Sequence, residues 1–116
     1  DGIEIIGDTA GIYIIYNSDQ YQVSTDSNPR SVYGYRATNG DLIIGYASSD
    51  GIGKLLIGDP DTFITPGTVQ SMEEHTITTS FDVNEVAPFP FEDADGDKLF
   101  VSLLGDLQIG FGIVLR

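Results

Sequence analysis

Residues 31–47, SVYGYRATNGDLIIGYA, place two runs of β-branched and aromatic residues on either side of an Asn-Gly pair. Such runs favour β-strands, because their side chains pack well on a pleated surface. Asn39-Gly40 suits a two-residue hairpin turn, in which both central residues take a positive φ. The pattern therefore predicts an antiparallel hairpin in which Tyr33 lies opposite Tyr46.

The predicted hairpin has one face with aromatic side chains and one face with two glycines. In this register Tyr33, Tyr35 and Tyr46 share a face, which is either a stacking platform for a sugar ring or part of the core with the hydroxyls at its rim. On the other face Gly34 lies opposite Gly45, where another sheet, a ring or a partner chain can approach the backbone closely.

The rest of the chain repeats this pattern of short apolar runs separated by Gly, Asn, Asp and Pro. Regularly spaced short strands predict an all-β fold, an antiparallel β-sandwich or flattened barrel of about nine short strands. We expect residues 1–116 to form a single β domain that is a fragment or module of a larger protein. The predicted strands are 3–6, 12–16, 21–25, 31–37, 42–47, 53–57, 76–83, 99–104 and 107–115, and the longest irregular stretch is 84–97.

The charge of the chain limits its partners. Five Lys and Arg against eighteen Asp and Glu give a formal net charge of −13. Such a chain repels nucleic-acid phosphates and anionic lipid headgroups, so we expect no nucleic-acid partner and no membrane insertion. The chain has no Cys, which excludes disulfides, thiolate nucleophiles and zinc–thiolate sites.

The stretch FEDADGDKLF, residues 91–100, contains the densest cluster of acidic residues in the chain. Glu92, Asp93, Asp95 and Asp97 are candidate ligands for Ca²⁺, which prefers carboxylate oxygens. The spacing differs from an EF-hand, because Lys98 stands where that loop requires Gly. The alternative is a plain Asp-rich turn in which the carboxylates bond nearby backbone N–H groups. Both interpretations remain open from the residues alone.

The phrase FEDADGDKLFVSL, residues 91–103, resembles the Phe-x-Asp-x-Asp-Gly-Asp-x-Leu phrase of cadherin-like, dystroglycan-type repeats of bacterial surface proteins. The matching positions are Phe91, Asp93, Asp95, Gly96, Asp97 and Leu99. The resemblance implies an extracellular β-sandwich, often associated with calcium, that acts as a spacer or an adhesive module.

The C-terminal stretch 107–115 predicts a strand with two apolar faces. Leu107, Ile109 and Phe111 lie on one face, and the other carries small residues such as Gly110 and Gly112. A strand with so little polar surface is buried on both sides or lies between subunits, so we expect a homo-oligomer through residues 107–115.

Catalytic signals are weak. His75, the single imidazole, directly precedes the predicted strand 76–83 and would continue one of its faces, where a structural or rim position suits it better than a role as general base. No nucleophile elbow or phosphate-binding Gly loop is present in the sequence. We therefore expect a protein that is not an enzyme.

These observations favour a non-catalytic extracellular structural or adhesive module stabilised by Ca²⁺. It would lie at a cell surface or a virion surface. One alternative is an oligomeric, trimeric virion fibre or spike head that buries residues 107–115 between chains. Another is a carbohydrate-binding module that uses Tyr33, Tyr35 and Tyr46, with a cell-surface or carbohydrate ligand.

Overall fold

The computed structural model describes residues 2–64, 68–93 and 96–105, and strands make up most of them. A single 3-10 turn, Pro60–Thr62, follows β6 within these residues. The all-β prediction is confirmed. The described strands are β1 (Glu4–Asp8), β2 (Gly11–Tyr16), β3 (Asp19–Ser24), β4 (Ser31–Arg36), β5 (Leu42–Ala47), β6 (Gly53–Gly58), β7 (Glu73–Ile77), β8 (Val83–Asp93) and β9 (Gly96–Gly105).

The strands form three antiparallel sheets. The front sheet has the order β1-β2-β3, the central sheet β4-β5-β6-β7, and the back sheet β8-β9. Within each sheet the strands are consecutive in the sequence, so each sheet is an antiparallel meander, and the longest connection within a sheet, residues 59–72, joins β6 to β7. The result is a sandwich-like fold with three layers.

The central sheet is buried on both faces, and β5 shows this most clearly. All six of its residues are buried, including Ile43 and Ile44, which point to opposite faces. This explains why LIIGYA is a nearly continuous apolar run, which is typical of a strand covered on both sides.

Each face of the central sheet belongs to a separate core. The front core lies between the front and central sheets, and the back core lies between the central and back sheets. The front core contains Ile12, Ile14, Tyr21, Val23, Leu42, Ile44, Tyr46 and Leu56. The back core contains Ile43, Ala47, Leu55, Ile77, Val83, Val86, Leu99, Val101 and Leu103.

The hairpin of residues 31–47 is confirmed, but the predicted register is wrong. Tyr33 lies opposite Gly45, and Tyr46 lies opposite Val32. The connection is a three-residue loop, in which the amide of Gly40 donates to the carbonyl of Ala37 at 3.0 Å and Gly40 alone takes a positive φ, of 99°. This longer loop adds one residue to the turn, and a shift of one residue moves Tyr46 to the opposite face from Tyr33.

The two glycines of the hairpin each allow a different sheet to approach. A Cβ on Gly45 would lie 2.5 Å from the carbonyl oxygen of Val86 in the back sheet. A Cβ on Gly34 would lie 2.5 Å from Cδ1 of Ile5 in the front sheet. The expected close approach therefore occurs at both glycines, but on opposite faces, because they are not opposite each other in the register.

Two strand predictions near the C-terminus are corrected. Residues 84–93 belong to β8, and 96–97 belong to β9, where an irregular stretch was expected. Pro88 and Pro90 fit because β8 has one partner among the described strands, and prolines two residues apart turn their nitrogens to the same open edge. The predicted strand 76–83 is divided, since β7 ends at Ile77 and β8 begins at Val83. The predicted strand 107–115 lies outside the described residues.

Candidate functional site

The acidic residues predicted to bind Ca²⁺ lie at the end of the β8–β9 hairpin. Glu92 pairs with Asp97 and Asp93 pairs with Gly96, so the backbones of three of the four predicted ligands meet there. Asp95 lies outside the described residues. Of residues 91–93 and 96–98 the structure describes the backbone but not the side chains, and among the side chains that it does describe no group of three or more His, Cys, Asp or Glu is placed to hold a metal ion.

The three tyrosines of the predicted stacking face are not brought together. Tyr33 is 44% exposed, and its hydroxyl donates to Oε1 of Glu85 on β8 at 2.5 Å. This hydrogen bond raises the pKa of Tyr33 above its ordinary value. Tyr35 lies half-buried on the same face, whereas Tyr46 is fully buried on the opposite one.

Tyr46 is the centre of a polar network at the edge of the front core, which we call the Asp26 network: Asp26, Tyr46, Lys54 and Glu74. The Tyr46 hydroxyl donates to Oδ2 of Asp26 at 2.5 Å, and Nζ of Lys54 donates to the same oxygen at 3.0 Å. Nζ of Lys54 also lies 3.8 Å from Glu74 on β7. The network joins the β3–β4 connection to three strands of the central sheet.

Ionisation in the Asp26 network follows from these contacts. The hydrogen bond from Tyr46 and the contacts with Lys54 lower the pKa of Asp26, although partial burial opposes them. Burial, together with the neighbouring Asp26 carboxylate, raises the pKa of Tyr46. The hydrogen bond to Asp26 raises the pKa of Lys54. The native state therefore favours an ionised Asp26, a neutral Tyr46 and a charged Lys54.

A second polar cluster joins the central sheet to the front sheet. Nη1 of Arg36 on β4 donates to the Tyr16 hydroxyl at 3.3 Å, and its guanidinium lies 5.3 Å from the centre of the Tyr16 ring. The Tyr16 hydroxyl donates to Asp61, and Nη2 of Arg36 donates to the same carboxylate at 3.2 Å. The hydrogen bond from Tyr16 and then the charge of Arg36 lower the pKa of Asp61.

Arg30 connects the central sheet to the back sheet. Its Nη2 donates to the carbonyl of Ser49, in the β5–β6 turn, at 3.0 Å. Its Nη1 donates to Oδ1 of Asn84 at 2.9 Å and to the carbonyl of Val83 at 3.3 Å, both on β8. The guanidinium of Arg30 thus holds the β5–β6 turn of the central sheet against the start of β8 in the back sheet.

His75 lies on β7, as the sequence predicted for a strand residue. It pairs with Leu55 across the sheet, and its ring Nε2 contacts the Glu73 carboxylate on the same strand. Both side chains are exposed by more than a third. The contact is therefore a local one between a ring nitrogen and a carboxylate, at the exposed edge of the central sheet.

The clefts on the described surface include a large groove beside the central sheet and a small cleft on the front sheet. A groove of about 670 Å³ lies between the β5–β6 turn and residues 76–82, with Asp50, Thr78, Phe81 and Asp82 among its lining residues. A smaller cleft of about 160 Å³ lies between the outer face of the front sheet and residues 64, 68 and 70. The sequence reasoning missed the smaller cleft, although the alternating amides of DQYQ, residues 19–22, mark one polar strand face.

The described residues contain no helix of the length and hydrophobicity needed to cross a membrane. Comparison of the chain with protein-family models, curated proteins and solved structures finds no match.

Proposed function

We propose that this chain is a non-catalytic structural and adhesive module of an extracellular surface protein, at a cell or virion surface. The proposal rests on the contacts that the basic side chains make. Each of the three basic side chains that the structure describes ties separate parts of the stack together: Arg30, Arg36 and Lys54. Arg36 and Arg30 join the central sheet to the front and back sheets, and Lys54 joins the central sheet to the β3–β4 connection.

This arrangement suits a spacer because it resists sliding between layers. Apolar burial is non-directional, so it holds the sheets together without fixing their relative position. Hydrogen bonds to charged groups, in contrast, depend on the distance and angle between donor and acceptor, so they favour one relative position of the sheets. The arginine contacts at the two faces of the central sheet therefore supply the directional part of the packing.

A spacer of this kind is expected to unfold as one unit. We predict that backbone amides bonded within β2, β5 and β9 exchange their hydrogens with one common free energy, equal to that of global unfolding. Native-state hydrogen exchange at low denaturant measures this directly. If the amides of β9 exchange through an opening that leaves β5 protected, the back sheet moves independently and the rigid-spacer proposal is wrong.

We also propose that a Ca²⁺ ion binds at the end of the β8–β9 hairpin, through Glu92, Asp93, Asp95 and Asp97. The pairing of Glu92 with Asp97 supports this, because it brings acidic positions from both strands to the hairpin end. Four acidic residues within six positions of the sequence repel one another at neutral pH unless a counter-charge is present.

Calcium is then expected to stabilise the folded chain by mass action. At ten times the dissociation constant, binding to the native state adds about 1.4 kcal/mol, or a rise of several degrees in the melting temperature. The measurement is thermal unfolding in calcium and in chelator. The control is Asp95→Asn combined with Asp97→Asn, which should respond weakly. If millimolar calcium does not change the melting temperature of the wild type, the acidic residues form a plain turn and the calcium proposal is wrong.

A further inference from the structure

We propose that the small cleft on the front sheet binds a neutral sugar ring. We call this cleft the amide cleft. Sugar binding there would be a function in addition to the structural role, and it does not depend on that role. It has a volume of about 160 Å³, below the range of about 300–1,000 Å³ typical of drug-sized ligands. The residues that the argument uses are Tyr13, Gln20, Gln22, Ile64, Thr68 and Gln70.

The strand register places the polar lining on one side of the sheet. Tyr13 pairs with Gln22, and Ile15 pairs with Gln20, so these side chains share a face. Ile14 pairs with Tyr21 on the opposite face, where both belong to the front core. The outer face therefore presents one aromatic ring and two amides on a strand pair that the core holds in place.

The far wall of the amide cleft is held by hydrogen bonds. The amide of Gln70 bonds the backbone of Ile64 twice, since Oε1 accepts at 2.8 Å and Nε2 donates at 2.7 Å. The same Nε2 donates to the carbonyl of Thr68 at 3.0 Å. The backbone amide of Gln70 donates to the carbonyl of Gln22 at 2.8 Å, which fixes this wall to the edge of β3. The cleft is thus largely preorganised.

The inner wall offers polar atoms that are ready for a ligand. Nε2 of Gln22 donates to the carbonyls of Ala10 and Ser24, both at 3.0 Å, which fixes the amide and leaves Oε1 without a bond to another described residue. The Tyr13 hydroxyl and the Gln20 amide likewise make no hydrogen bond within the described part of the chain. These groups supply donors and acceptors side by side.

The chemistry of the lining selects a neutral polyhydroxylated ligand. The chain carries a net charge of −13, yet all the lining residues of the amide cleft are uncharged. Amides match adjacent hydroxyl groups, because each amide donates and accepts. The Tyr13 ring and the exposed Ile64 give an apolar surface for the C–H face of a pyranose. An anionic sugar is disfavoured by the surrounding carboxylates.

The expected affinity is low. A sugar of about twelve non-hydrogen atoms, binding at about the efficiency typical of ordinary ligands, has a dissociation constant of about 1 mM or weaker. Weak single sites suit a surface protein that presents many copies, because multivalency raises the overall avidity.

The test is NMR titration of the full chain with glucose, galactose, mannose and N-acetylglucosamine, and with glucuronate as the anionic arm. At least one neutral sugar should produce saturable shifts at the side-chain amides of Gln20 and Gln22, with glucuronate binding more weakly. Tyr13→Ala should weaken binding by about tenfold. Gln20→Ala, at an exposed position, should weaken it severalfold without affecting the fold.

Tyr33→Ala is the matched control, because it removes an exposed tyrosine from a different sheet and should leave the affinity unchanged. The proposal is overturned if no neutral sugar shifts these amides at tens of millimolar. It is also overturned if Tyr33→Ala abolishes binding while Tyr13→Ala and Gln20→Ala retain it. Hydrogen exchange in the absence of sugar tests the spacer role separately, so the two proposals fail independently.

Discussion

Ile43→Ala and Ile44→Ala are each expected to lower the free energy of unfolding by about 2–5 kcal/mol. The two residues are adjacent on β5 but belong to different cores, and their side chains are 2% and 0% exposed. Each substitution removes three carbons and leaves a cavity between the central sheet and one neighbouring sheet. Urea denaturation of the two variants measures the effect on each face.

The matched control is Ile52→Ala, because Ile52 is 41% exposed and its truncation should change stability by about 0.5 kcal/mol or less. If the fold were a two-layer sandwich, one face of the central sheet would contact water. One of the two β5 variants would then lose as little stability as the control. That outcome for either Ile43→Ala or Ile44→Ala would contradict the three-layer stack.

The second large effect is expected for Asp26→Ala, at about 1–3 kcal/mol at neutral pH. The substitution removes the oxygen that accepts from the Tyr46 hydroxyl, and the Tyr46 side chain is fully buried. The hydroxyl then keeps a longer contact, of 3.4 Å, with Oγ of Ser24. Water reaches Asp26, so the lost ion pair with Lys54 adds little. Most of the cost comes from the buried hydroxyl.

A double-mutant cycle with Tyr46→Phe checks this assignment. If the hydroxyl carries the cost, Asp26→Ala should be much less damaging in the Tyr46→Phe background, where no buried donor remains. Asp19→Ala, at an exposed carboxylate, is the charge-matched control and should be nearly neutral. Equal effects of Asp26→Ala in both backgrounds would show that the hydrogen bond to Tyr46 is not the source.

The pKa shifts of the Asp26 network predict losses of stability at both ends of the pH range. The pKa of Asp26 is lowered on folding, so its contribution is present above its ordinary value of 3.8 and is lost as the pH falls. The pKa of Tyr46 is raised, so its contribution is present below 10.0 and is lost as the pH rises above that value. Tyr46→Phe should therefore reduce the alkaline loss, as measured by denaturation at stepwise pH.

Much of the fold was predictable because short-range rules determine it. The apolar runs on either side of Asn39-Gly40 predicted an antiparallel hairpin, and β4, β5 and β6 lie within one residue of their predicted bounds. The division into three sheets was not predictable, because a run such as LIIGYA indicates burial on both faces without indicating which strands cover them.

The errors have identifiable physical causes. The hairpin loop at Gly40 has one residue more than predicted, and this single residue moved Tyr46 from the expected tyrosine face to the front core. The prolines in APFPF argued against a strand, yet an edge strand tolerates them. The contacts of the Asp26 network join residues 20 to 28 positions apart in sequence, and no local pattern predicts such pairings. The glutamines of the amide cleft were not predicted as a site, because in the sequence they look like ordinary exposed residues of a strand.

The account depends most on the claim that the central sheet is covered on both faces, and a NOESY spectrum of the labelled chain tests it directly. Neighbouring sheets approach the central sheet closely at two glycines: Gly34, next to Cδ1 of Ile5 in the front sheet, and Gly45, next to Cδ of Pro88 in the back sheet. We expect strong cross-peaks from the Hα protons of Gly34 to the Ile5 methyl and from those of Gly45 to the Pro88 Hδ protons, in the same folded species. A spectrum that shows only one of these two contacts would contradict the three-layer structure.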